Sequence, residues 1–175
     1  SEKIPLDYIS SKQLQILKQQ GSISKIGVSI YTGSQLQKVI DRFSIDIVQL
    51  PFNILDNRLI NSGILNKIHN QGIEVHARSV FLQGLLLMSE HSRPKKFDRW
   101  NDLWKLWHEW LSDNQLTALE ATTRHAISIY EISKVLVGVH SKNQLQGIIK
   151  AADGDLPPIP KGLLTNDTDL LNPSN

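Results

Sequence analysis

The feature that most constrains this chain is an alternation. Short runs of β-branched and aliphatic residues take turns with longer stretches of helical period. Four runs, residues 25–30, 45–50, 73–81 and 134–139, are closed by turn or cap signals and read as buried strands. Helical periodicity occupies residues 6–20, 34–42, 58–70, 97–111, 117–129 and 141–152. Strands separated by helices need crossover connections, so the sheet is expected to be parallel and the class α/β. Alternation alone leaves open an open doubly wound sheet or a (β/α)8 barrel.

Punctuation supports these boundaries. Ser34 with Gln37, and Ser141 with Gln144, have the spacing of a capping box, which predicts a helix start just after a strand. Gly21 and Gly72 stand where helices should stop, at positions that favour a residue able to take positive φ. From Pro157 the chain is rich in Pro, Asn and Asp, which predicts a loosely ordered extension over 157–175 behind a domain of residues 1–156.

Composition then removes several function classes. The 175 residues suffice for one ordinary domain, and 19 basic against 17 acidic residues leave a net charge of +2. That surplus is too small for the electrostatic footprint of a duplex-binding protein, so no nucleic-acid partner is expected. Cysteine is absent, which excludes disulfides and thiolate chemistry and fits a reducing, cytoplasmic compartment. No apolar run reaches the roughly 18 residues of a membrane span, and the N-terminus lacks the features of a secretory signal. The first residue is Ser1, not Met, so the chain is expected to begin inside a longer gene product.

The region between the third and fourth strands is about twice as long as the other crossovers and holds two helices. Trp100, Trp104, Trp107 and Trp110 share one helical face there. A packing stripe is expected; the alternative, a surface for single-stranded nucleic acid beside Arg93, Lys95, Lys96 and Arg99, is weakened by the interleaved Asp98, Asp102 and Glu109. The six histidines show no metal-ligand spacing, and P-loop, GxGxxG and GxSxG motifs are all missing.

What stands out is polarity at the C-terminal ends of apolar strands. Ser29, Gln49 and Arg78-Ser79 occupy that edge, where parallel α/β folds hold their ligands. Alternation puts Glu74, His76 and Arg78 on one face of the third strand, and such a polar face favours the interior of a barrel. After the fourth strand, Gly138-Val139-His140-Ser141 leads into a capped helix whose N-terminus offers a place for phosphate.

Together these residues resemble a known family. Ile26-Gly27-Val28-Ser29, Ile45 to Asn53 with Gln49, Arg78-Ser79-Val80-Phe81-Leu82-Gln83-Gly84, and Val137 to Ser141 with Gln144 resemble successive strand motifs of the aldo-keto reductases, in order and in spacing. The resemblance runs from about residue 6 to 152 and implies the C-terminal half of a (β/α)8 TIM barrel, strands five to eight. It implies that Ser29 and Gln49 hold a nicotinamide carboxamide, and that Ser79, Phe81, Gln83 and Gly84 line the pyrophosphate. His140, Ser141 and Gln144 fall at the adenosine 2′-phosphate. The implied cofactor is NADPH, and the implied reaction is reduction of a small-molecule aldehyde or ketone. The family's catalytic Asp, Tyr, Lys and His belong to its first four strands and have no match here, so the isolated chain is expected to reduce no carbonyl. Tyr8, Tyr31 and Tyr130 are not substitutes.

Three departures keep another reading open. Ile30 stands where many members have Asn, Arg78 where many have a Tyr that stacks on nicotinamide, and Gly147-Ile148 where an acid and an Asn touch adenine. Arg78 is expected either to face the active-site mouth, stacking on the reduced ring or pairing with a substrate anion, or to pair internally with Glu74. The eroded contacts suit a second function class, a reductase-like barrel that binds a nucleotide or regulates without catalysis. A third arrangement pairs two such half-barrels.

Overall fold

A computed structural model describes residues 8–172. Helix α1 spans Tyr8–Gln19 and is followed by strand β1 (Gly27–Ser29), α2 (Gly33–Ile40), β2 (Ile47–Pro51), α3 (Arg58–Asn61), α4 (Ile64–Asn70) and β3 (Glu74–Arg78). Then come α5 (Asn101–Asp113), α6 (Ala118–Ser128), β4 (Lys134–Val135), α7 (Lys142–Ala151) and α8 (Thr168–Leu171), with short 3₁₀ turns between.

The four strands pair in parallel in the order β1-β2-β3-β4. Val28, Val48 and Val75 align on one face, where they are buried with Leu36 and Val39 of α2, Ile64 and Ile68 of α4, and Ala126 of α6. Gly27, Ser29, Ile47, Gln49, Glu74, His76 and Arg78 alternate with them on the other face and belong to neither buried core. Helices on one face only, with no reversal of strand order, make this a section of barrel wall rather than a doubly wound sheet.

Gly27 is required by the sheet itself. A Cβ there would lie 2.8 Å from the Ile47 carbonyl oxygen. At the N-terminal end of the polar face the Glu74 carboxylate takes Lys25, His76 (2.8 Å) and Lys134 (3.2 Å), stitching β3 to the residues entering β1 and β4. Those partners, Lys25 foremost, hold its pKa down at about 2.

Several local expectations shift. The capping box of α2 is Thr32 with Gln35: Thr32 Oγ1 accepts from the Gln35 amide at 3.2 Å and the Gln35 side chain accepts from the Thr32 amide. Ser34 lies inside the first turn instead. Ser141 does cap α7, accepting from the Gln144 amide, while the Gln144 side chain reaches one residue further back to the His140 amide. Helix 58–70 is two helices, because Gly63 adopts φ 70° between them. Gly21 and Gly72 take positive φ as expected. The third strand ends at Arg78, not Phe81, because Ser79 turns to φ 60°.

A second core explains the long crossover and the tail. Trp104, Trp107 and Trp110 are buried and Trp100 half-buried, and all four indole N–H groups find acceptors: Asp167, Phe97 O, Leu86 O and Pro158 O in sequence order. The packing stripe is confirmed. The segment from Pro157 is not loose up to Asn172: Leu163, Leu170 and Leu171 are buried in this core, and the Thr165 amide donates to Leu55 O at 2.9 Å. Turn-forming composition hid three leucines with apolar partners waiting for them. Among the described residues no helix is long and apolar enough to cross a membrane.

Candidate cofactor-binding edge

Parallel register carries the site. Ser29, Gln49, His76 and Lys134 form one row across the sheet, and Pro51 and Arg78 pair in the next row toward the C-terminal edge. In the first row the Ser29 hydroxyl donates to Gln49 Oε1 at 3.3 Å, and Gln49 is half-buried while Ser29 is exposed. The pair presents a hydroxyl and an amide, suited to a ligand carboxamide.

Beyond β3 the backbone is strained. Ser79, Leu82, Gln83 and Gly84 all have positive φ, of 60°, 48°, 55° and 87°. Three of these are not glycine, and such conformations cost about 1–3 kcal/mol each unless their surroundings enforce them. Here Leu82, Leu85 and Leu86 anchor the loop in the second core, and the Leu82 amide donates back to Ser79 O. Buried leucines therefore fix a loop whose polar residues stay at the surface.

The same loop forms one wall of an apolar hollow of about 440 Å³, lined chiefly by Phe81, Leu87, Leu119, His140, Gln144 and Ile148. Its rim is the N-terminus of α7, whose first-turn N–H groups lack intrahelical acceptors and lie at the positive end of the helix dipole. An aromatic ring, aliphatic walls and a capped helix start suit a flat, phosphate-bearing heterocycle.

The structure thus gathers the ten predicted site residues into two adjoining groups. Ser29, Gln49, Arg78 and Ser79 stand at the strand ends, with Gln83 beside Arg78 and Ser79 around a small cavity. Phe81, His140 and Gln144 line the hollow, Ser141 caps its helix, and Gly84 turns the loop between. Leu87, Leu119 and Asn143, which sequence reasoning missed, complete the hollow. Of these, Leu119 carried a positional signal, since it lies inside the Thr117–Glu120 capping box of α6.

Arg78 does not pair with Glu74. Its guanidinium carbon lies 4.5 Å from the Tyr31 ring centroid, Nη2 donates to Ile30 O at 3.2 Å, and Nη1 lies 3.4 Å from Ser79 Oγ. Ile30 itself is buried among the helix-facing residues, so its side chain is turned away from this edge.

A family model described as the aldo/keto reductase family matches residues 9–158. The chain belongs to the aldo/keto reductase family. Among solved structures, the apo form of the aldo-keto reductase AKR11C1 from Bacillus halodurans superposes with a TM-score of 0.71 at 20% identity, covering 98% of this chain and 58% of that one. The holo form gives 0.69 at 20% identity, covering 87% and 53%. A thermostable aldo-keto reductase in complex with the inhibitor epalrestat gives 0.61 at 17% identity, covering 95% and 54%. At these identities the likeness is one of fold. The chain spans a little over half the length of these aldo-keto reductases. No curated protein matches the sequence.

Proposed function

We propose that this aldo/keto reductase chain supplies strands five to eight of a (β/α)8 barrel and holds the cofactor of an NADPH-dependent reductase of aldehydes or ketones. The observation that carries the reading is the continuity of the edge. A hydroxyl–amide pair on β1 and β2, a strained loop after β3 and an apolar hollow at a capped helix start follow one another along it. A dinucleotide has the same sequence of parts: an amide-bearing ring, a pyrophosphate and an adenosine.

The residues fit that group. Ser29 and Gln49 would hold the carboxamide and so fix which face of the ring is presented. Amides of the loop containing Ser79, Phe81, Gln83 and Gly84 would meet the pyrophosphate, and the rigidity imposed by Leu82, Leu85 and Leu86 means little ordering remains when it binds. Phe81 and Ile148 would cover the adenine, while His140, Ser141 and Gln144 at the start of α7 would face the 2′-phosphate. Bound here, NADPH supplies the hydride delivered to a carbonyl carbon. The proton for the resulting alkoxide has no donor matching the family's motif in this chain, so the tetrad is assigned to strands one to four.

The test is NADPH oxidation with benzaldehyde, comparing the protein at its natural length with residues 1–175 alone. Turnover by the longer protein only is expected. Turnover by this chain alone would overturn the assignment of the tetrad, and no turnover with no NADPH binding by either would overturn the reading.

A second reading, a non-catalytic nucleotide-binding or regulatory barrel, is favoured by one observation. Ile30 is 1% exposed and offers no amide where many members place Asn, so the carboxamide contact is reduced. NADPH binding without turnover at natural length would select it.

A further inference from the structure

We propose that Arg78 anchors a carboxylate on the carbonyl substrate, making this protein a reductase of anionic aldehydes or ketones. The inference rests on the reductase reading above and adds the class of substrate.

Of the partly buried arginines, Arg78 and Arg93 make no ion pair among the described residues, and Arg93 shares its cavity with Glu90, Asp98 and Asp102. Arg58 makes a two-point ion pair with Asp56, and Arg124 pairs with Glu120 at 2.9 Å. Even the more exposed Arg99 pairs with both Asp167 and Asp169. Arg78 has no carboxylate partner among the described residues. The one acid on its own strand face, Glu74, is taken by Lys25, His76 and Lys134. What Arg78 touches instead are a π face, a backbone carbonyl and a hydroxyl. These orient a guanidinium without neutralising it, and several of its N–H donors remain for a ligand.

Its surroundings are shaped for one small anion. Arg78 opens on a cavity of about 40 Å³ bounded by Tyr31, Asn53, Ser79, Gln83 and Asn172, and every lining residue other than Arg78 is neutral. A water needs roughly 10–15 Å³ of such space, so there is room for a small polar group such as a carboxylate. A planar guanidinium lying over the Tyr31 ring carries the fork of donors that makes paired N–H···O contacts to a carboxylate.

Direction separates substrate from cofactor. The guanidinium leans toward Ile30 and Tyr31 on the loop after β1, away from the hollow lined by His140 and Gln144 where the nucleotide phosphates are assigned. It also stands one row beyond the Ser29–Gln49 pair toward the mouth, where the reacting end of a substrate would lie.

The experiment uses the protein at its natural length with saturating NADPH, and compares kcat/KM for 4-carboxybenzaldehyde and benzaldehyde. The wild type is expected to favour the carboxylate at least tenfold. Arg78→Met should abolish that preference, chiefly through KM for the carboxylate, with the NADPH Kd moving less than about twofold. Arg78→Lys should restore part of it, whereas a merely structural role would change both aldehydes alike. Equal rates for the two aldehydes in the wild type would overturn the proposal, as would a preference that survives Arg78→Met. A large loss of NADPH affinity with the preference intact would also overturn it, by placing the guanidinium on the cofactor. Reduction of neither aldehyde, with no NADPH binding, would fail the reductase reading itself and the proposal with it.

Discussion

Ser29 and Gln49 come from strands separated in sequence by a helix, yet parallel register makes them partners and the Ser29 hydroxyl donates to the Gln49 side-chain oxygen at 3.3 Å. The pair aligns two side chains before any ligand arrives. Preorganisation of this kind lowers the ordering cost of binding.

Removing either side chain should weaken nicotinamide cofactor binding without unfolding the sheet, because both residues lie on the polar face outside the core. Net loss of one hydrogen bond costs about 0.5–1.5 kcal/mol, so Ser29→Ala and Gln49→Leu should each raise the NADPH Kd about 2- to 10-fold. Fluorescence titration of NADPH at natural length is the measurement. Affinity unchanged in both variants would remove the carboxamide assignment.

The Glu74 cluster predicts an acid-sensitive sheet. Its carboxyl pKa is lowered from 4.5 to about 2, Lys25 being the main cause, so its contribution to stability is complete above about pH 4.5 and fades as pH falls toward 2. Thermal midpoints of wild type and Glu74→Gln should therefore differ most near neutrality and converge at low pH. A constant difference across that range would contradict the ion-pair account.

His125 acts in the same sense in a higher pH window. It is buried, stacked on Phe52 at 5.3 Å and 11°, its Nε2 has no hydrogen-bond partner, and burial pushes its pKa down from 6.5 to about 4. The unfolded chain binds the proton first, so this residue removes stability as pH falls from about 6.5 to 4, by at most about 3 kcal/mol. Denaturant unfolding near pH 7 and near pH 4.5 should show that loss in the wild type and a smaller one in His125→Gln.

The C-terminal segment predicts a mutational cost that its composition conceals. Leu163 and Leu170 are fully buried, so Leu→Ala at either site should destabilise by about 2–5 kcal/mol. Chemical denaturation at equilibrium measures both. Values below about 1 kcal/mol for the leucines would mean the tail is not part of the core.

Much of this architecture was legible because burial writes period into sequence. Val28, Val48 and Val75 revealed the strands, and alternation with Glu74, His76 and Arg78 revealed the polar face. What escaped depended on tertiary contacts. The positive φ of Ser79, Leu82 and Gln83 is imposed by leucines packing into a core formed partly by residues far along the chain, such as Leu163 and Leu170. Likewise Tyr31 gains meaning only when Arg78 folds over it. The capping box at Thr32 was readable in principle, since Thr32-x-x-Gln35 has the same spacing as the Ser34 motif that competes with it.

The central claim is that a nicotinamide dinucleotide lies along the C-terminal edge of this sheet, and amide hydrogen exchange with and without NADPH tests it most directly. On the protein at its natural length, NADPH should slow exchange in residues 79–87 and in 140–145 at the start of α7, leaving the outer faces of α2 and α4 unchanged. Protection confined to other segments, or none at saturating NADPH, would contradict it.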